Sequence, residues 1–185
     1  MRFVETVIPG MWLIEPVRHV DDRGYFYRTF CEQEFALHGL QTEFRQHSIS
    51  YNRQAGTLRG LHFQLPPHEE IKLVRCTRGT VFDVVVDLRP TSPTKGQWFG
   101  VELSADNGIS VYIPAGCAHG FQSLVNDTEL LYLIDVPHVP GVGNGVAWDD
   151  PWLEIKWPLP PTVISDKDRN LPSFGAYLCG SQLRG

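Results

Sequence analysis

The chain has 185 residues, 42% hydrophobic and 20% charged, with 16 Lys and Arg against 21 Asp and Glu and a net charge of −5. This length predicts one domain with a full core, and the composition excludes disorder and collagen-like repeats. With no basic run to neutralise a phosphate ladder, nucleic acid is not an expected partner.

At the start of the chain, Glu5, Pro9 and Gly10 break any apolar stretch, and nowhere does an apolar run approach bilayer length. A cytoplasmic protein without a membrane partner is expected. Cys31, Cys76, Cys117 and Cys179 form no Cys-x-x-Cys pair and read as reduced, structural thiols.

Short segments rich in Val, Ile, Phe, Tyr and Thr recur between Gly, Pro, Asn or Asp: 11–16, 25–30, 44–52, 57–64, 71–77, 80–88, 97–104, 109–113, 119–125 and 129–136. This rhythm predicts a mainly all-β antiparallel sandwich or barrel. In 80–88, Phe82, Val84, Val86 and Leu88 alternate with Val81, Asp83, Val85 and Asp87, which predicts one packed face and one polar face. Short helices are expected over Glu32–His38, closed by Gly39, and as a turn near Ser165–Arg169 after the proline-rich stretch 157–161. Nothing divides the chain, so residues 1–185 are read as one domain with a tail from about residue 160 packing on the barrel.

The dinucleotide fingerprint, the P-loop and the G-x-S-x-G elbow are all missing. Gly108 to His119 fits the second half of the cupin signature, G-x5-P-x-G-x-x-H. Metal-binding cupins supply an earlier His-x-His, whereas this chain has His62-Phe63-Gln64. His68 with Glu69 or Glu70 is the other conceivable ligand set, but first-row metals need at least three converging ligands, and no metal is expected.

What remains is a set of polar residues at strand-like positions. Arg59 and His62 are expected to share one face of a strand, an anion-binding cation beside an acid/base candidate. Lys72, His119 and Tyr132 lie on later segments that a barrel brings together. Taken singly, each also has a structural reading: solvated charges for Arg59 and Lys72, packing histidines for His62 and His119, a core aromatic for Tyr132.

Together the motifs are more specific. Asp22-Arg23-Gly24, the run Gly56 to Pro67, Lys72 to Arg75, Gly79 to Trp98, Pro114 to Phe121 and Ser165 to Asp168 resemble the dTDP-4-dehydrorhamnose 3,5-epimerase family over nearly the whole chain. The resemblance implies a metal-free cupin jelly roll, a homodimer, no cofactor and a dTDP-linked 4-keto-6-deoxy sugar as substrate. It further implies His62 as the base, Asp168 as its orienting carboxylate, Lys72 as the cation at the C4 oxygen and Tyr132 as the opposed acid. His119 is implied to hydrogen-bond the sugar, Arg23, Arg59 and Lys167 to hold the diphosphate, and Phe26 and Gln46 to lie near the nucleoside.

The residues alone do not choose between Asp166 and Asp168; only the family spacing favours Asp168. Asp83 stays open between a second carboxylate lining the barrel and a structural residue. Departures from the family fall at Arg28, where a Glu is common, at His138, where a tyrosine often stacks on thymine, and at Gly143, where an acidic residue is common. The nucleotide is therefore open, as is epimerisation at C3, C5 or both. A non-catalytic sugar-nucleotide-binding cupin and a metal-dependent cupin isomerase or oxygenase are the rivals from other classes.

Overall fold

A computed structural model describes residues 1–182. Thirteen strands and three short helices occur among them. The strands β1 (Arg2–Glu5), β2 (Trp12–Glu15), β10 (Ser110–Ile113), β7 (Lys72–Arg78), β12 (Thr128–Ile134) and β5 (Gln46–Asn52) form a six-stranded sheet in that spatial order. A five-stranded sheet runs β13 (Gly143–Gly145), β6 (Leu58–Gln64), β11 (Cys117–Ser123), β8 (Thr80–Asp87) and β9 (Trp98–Ser104). All pairings between these strands are antiparallel, and the crossovers between the sheets make the two-sheet jelly roll expected from the sequence.

Apolar side chains from both sheets meet in one cluster: Val74, Cys76 and Leu130 from the larger sheet, Val81, Val85, Leu103 and Phe121 from the smaller. Period-2 alternation sends the neighbours of these residues outward. Leu73 and Leu133 pack with Phe35 and Tyr112 on the outer face of the six-stranded sheet, and Leu61, Phe63, Val84 and Val86 pack on the outer face of the other. The expectation of a polar face for β8 is corrected here. Both its faces are buried, and Asp83 and Asp87 sit inside because each has a specific partner, His119 and Arg89.

Helix α1 (Glu32–Leu37) buries Phe35 against the outer face and ends at Gly39, whose φ is +68°. The hairpin of β3 (His19–Asp21) and β4 (Gly24–Phe26) is wholly exposed. It is rooted on the same outer face, where Arg75 donates to the Tyr27 hydroxyl at 2.5 Å.

The tail is tied to the start of β6: Leu58 N–H donates to the Val163 carbonyl and Thr162 N–H to the Gly56 carbonyl, both at 2.9 Å. It continues into α2 (Asp166–Arg169) and α3 (Phe174–Gln182), which buries Phe174 beside Phe63 and Leu88. Cys76 and Cys117 are buried thiols, pushed up by burial to about 11 and about 12, and the four cysteines are unpaired. No helix among the described residues is long and apolar enough to cross a membrane.

Candidate active site

The inner faces of the two sheets carry Arg59, His62, Lys72, His119 and Tyr132. On β6 the ladder to β11 slips: His62 pairs with His119, but Arg59 pairs with Phe121. Arg59 and His62 are three residues apart, not an even number, so plain alternation would put them on opposite faces. The extra residue at Gly60–Leu61 is a bulge that restores a common face. Only glycine fits there, because Gly60 has φ +115° and a Cβ on it would lie 2.6 Å from Gly120 Cα.

His62 Nε2 lies 2.7 Å from Asp168 Oδ1, with side-chain exposures of 39% and 5%. The bulged Gly60 N–H donates to Asp168 Oδ2 at 3.3 Å. Local chemistry aims this carboxylate: the Ser165 hydroxyl caps α2 by accepting from Asp168 N–H at 3.1 Å, and Asp168 turns inward while Asp166 stays exposed. Burial pushes the His62 imidazole below its ordinary value, and Lys72 and Lys167 act the same way, while the Asp168 carboxylate opposes them. A neutral imidazole is thereby favoured.

Tyr132 stands on the other sheet from His62. It lies on the inner face of β12, paired with Val74 and Ser48, and its ring meets the His119 ring edge-on at 5.7 Å. Burial, reinforced by Asp83 and opposed by Arg59, raises its phenol well above the ordinary tyrosine range, so the hydroxyl keeps its proton. His119 Nε2 lies 2.8 Å from Asp83 Oδ2, both buried, which makes Asp83 the carboxylate partner of the second histidine. Its other oxygen has no hydrogen-bond partner.

Lys72, diagonal to Tyr132 on β7, sets its ammonium 2.8 Å from Glu70 Oε1. Arg59 donates from Nε to Asn52 Oδ1 at 2.7 Å, on a β5 face that also presents Gln46, Ser48 and Ser50 inward. A base on one wall, a protonated acid on the other and a cation beside them suit proton transfer at carbon next to a carbonyl.

The profile of the family described as dTDP-4-dehydrorhamnose 3,5-epimerase matches residues 5–176. An enzyme of that name from Sinorhizobium fredii is 45% identical over 175 residues, spanning 94% of this chain and 90% of the relative. The chain belongs to the dTDP-4-dehydrorhamnose 3,5-epimerase family. Among solved structures, a dTDP-6-deoxy-D-glucose-3,5-epimerase from Legionella pneumophila, in complex with dTDP-4-keto-L-rhamnose, superposes with a TM-score of 0.88 at 38% identity, covering 94% of this chain and 93% of that one. A 3'-monoepimerase from Streptomyces bikiniensis, in complex with dTDP-quinovose, gives 0.87 at 36% identity, covering 95% and 89%.

Within this epimerase family frame, the cleft gathers His62, Lys72, Tyr132, Asp168, His119 and Arg59, with Lys167 near enough to act on His62. Gln46 and His138 are also joined: His138 N–H donates to Gln46 Oε1 at 2.8 Å. Two epimerase-family positions are not brought there within one chain. Arg23, paired with Asp21 at 2.6 Å, and Phe26 stand exposed on the β3–β4 hairpin, which is rooted on the outer face. Arg28 pairs with Glu34 of α1 at 3.5 Å, also outside the cleft, and Gly143 is exposed on β13 opposite Gln64.

Glu70 is the residue that sequence reasoning misses. Its neighbour His68 suggests a metal ligand, but Glu70 pairs with Lys72, and among the described residues no group of three His, Cys, Asp or Glu side chains is placed to hold a metal. The even spacing of Glu70 and Lys72 at the mouth of a strand is the available signal. A separate cavity of about 760 Å³ lies between Phe63, Leu88, Arg89 and Tyr177, and His62, Lys72, Tyr132 and Asp168 are not among its lining residues.

Proposed function

We propose that this chain inverts carbons next to the ketone of a dTDP-linked 4-keto-6-deoxy sugar, as a 3,5-epimerase, with His62 as base and Tyr132 as acid. The observation that carries the reading is a carboxylate-held imidazole on one sheet and a half-buried, protonated phenol on the inner face of the other.

The ionised Asp168 carboxylate only accepts, so His62 Nε2 carries the proton between them and Nδ1 keeps the lone pair. Nδ1 takes the proton from C5 or C3, Asp168 stabilises the imidazolium, and the electron pair moves onto the C4 oxygen as an enolate. The Lys72 ammonium, itself nearly enclosed, stabilises that charge. Carbon then takes a proton from the Tyr132 hydroxyl on the other face, which inverts the centre. Exchange with solvent returns the proton from imidazolium to phenolate, and no oxidation or reduction occurs.

His119, oriented by Asp83, hydrogen-bonds the sugar, and Arg59 and Lys167 hold the diphosphate. Gln46 and His138 meet the nucleoside. We further propose one domain, working in the cytoplasm as a homodimer. The exposed hairpin supports the dimer, because Arg23 and Phe26 serve a cleft only if they reach that of a second copy.

Proton NMR in deuterium oxide with dTDP-4-keto-6-deoxyglucose tests the reading. Deuterium is expected at both C3 and C5; exchange at one carbon alone indicates a mono-epimerase, and binding without exchange a sensor. His62→Asn is expected to stop exchange, whereas Tyr132→Phe permits wash-in without inversion. Equal, mild effects of the two refute the assigned roles.

A further inference from the structure

Lys72 and Glu70 are almost wholly enclosed, with side-chain exposures of 8% and 12%, and their charged atoms lie 2.8 Å apart. An ammonium on a flexible four-carbon stem has no geometry of its own, so its position is set by what it is bound to. In an enclosed site, losing the partner also leaves an uncompensated charge.

Glu70 is itself held. Gln64 Nε2 donates to Glu70 Oε2 at 3.1 Å, and Gln64 Oε1 accepts from Val139 N–H at 3.2 Å, beside His138. Gln64 is buried on β6, two residues after His62, and Lys72 is on β7 of the facing sheet. The chain Val139–Gln64–Glu70–Lys72 therefore crosses the cleft, tying the wall that carries the base to the wall that carries the cation.

We infer that Glu70 is a positioning residue: it fixes the Lys72 ammonium at a set distance from the His62 wall, against the place where the C4 oxygen takes up negative charge. The inference rests on the epimerase reading above. Glu70 touches no reacting atom. Its own charge opposes that of the enolate, so its contribution lies in placement, and placement uses both oxygens, Oε1 for Lys72 and Oε2 for Gln64.

The test is a double-mutant cycle read by steady-state epimerisation of dTDP-4-keto-6-deoxyglucose. Glu70→Ala is expected to lower kcat about 10- to 100-fold, the scale of a misplaced group, with KM within about threefold. Glu70→Gln keeps one accepting oxygen but sets an NH2 group against either Lys72 or Gln64, and is expected to lower kcat by less than about 10-fold, short of the loss with Ala. In a Lys72→Ala background, Glu70→Ala is expected to add less than about twofold, because its effect runs through the lysine. If Glu70→Ala does not fold, Gln64→Leu replaces it in the cycle, with a loss of kcat that likewise vanishes beside Lys72→Ala. Equal losses for Ala and Gln, a loss confined to KM, an unchanged kcat, or losses that multiply with Lys72→Ala overturn the inference while the epimerase reading stands. No turnover by the unaltered protein overturns both.

Discussion

Asp87 offers a prediction whose size follows from its surroundings. Its carboxylate, fully buried at the end of β8, accepts from Arg89 Nη2 at 2.7 Å and Nε at 2.9 Å, from Ser92 Oγ at 2.5 Å and from Thr94 Oγ1 at 2.7 Å. Burial alone would raise its pKa, but these donors overcome burial and hold it at about 2, against 3.8 when unperturbed. A carboxylate that binds its proton less tightly when folded stabilises the fold above pH 3.8, and the benefit is lost as pH falls toward 2. At about 1.4 kcal/mol per pH unit the benefit is roughly 2 kcal/mol at neutral pH, about half of it remaining at pH 3. Asp87→Asn is therefore expected to be about 2 kcal/mol less stable at pH 7, with the gap narrowing below about pH 4. Urea unfolding of both proteins across this range, with equal m-values, measures it. A gap that stays constant with pH, or no gap at pH 7, refutes the account.

Other expectations concern the cleft. Burial already depresses the His62 pKa and Asp168 opposes the shift, so Asp168→Asn is expected to move the acid limb of kcat/KM to lower pH while lowering kcat about 100-fold or more. A limb that moves upward contradicts this. Gly60→Ala places a methyl group 2.6 Å from Gly120 Cα and 2.8 Å from the His119 carbonyl at a positive φ, and is expected to destabilise the protein by roughly 2–5 kcal/mol in chemical denaturation. A Gly60→Ala variant as stable as the parent removes the bulge from the explanation of the site.

Alternation and punctuation made the central strands legible: 80–88 became Thr80–Asp87, 57–64 became Leu58–Gln64, and α1 ended at Gly39 as its sequence suggests. The strands Arg2–Glu5, His19–Asp21 and Gly143–Gly145 escaped because they are three or four residues long and sit at a sheet edge or in a lone hairpin, with no full period to read. The run 119–125 was displaced from Cys117–Ser123 because Pro-Ala-Gly reads as a longer turn than the two residues it needs. In the cleft, residue types were visible but partners were not. Asp83 with His119 and Glu70 with Lys72 depend on which strands lie side by side, and Asp168 was separated from Asp166 only by family spacing. The helical turn decides physically, because residues two apart on it point to nearly opposite sides.

The pairing of His62 with Asp168 joins positions 106 residues apart in the chain. A ribosome adding roughly 5–20 residues per second makes the imidazole about 5–20 s before the carboxylate that holds it. During that interval the nascent barrel owns a histidine with nothing to orient it. The carboxylate that holds the imidazole is thus made only after every strand of the two sheets.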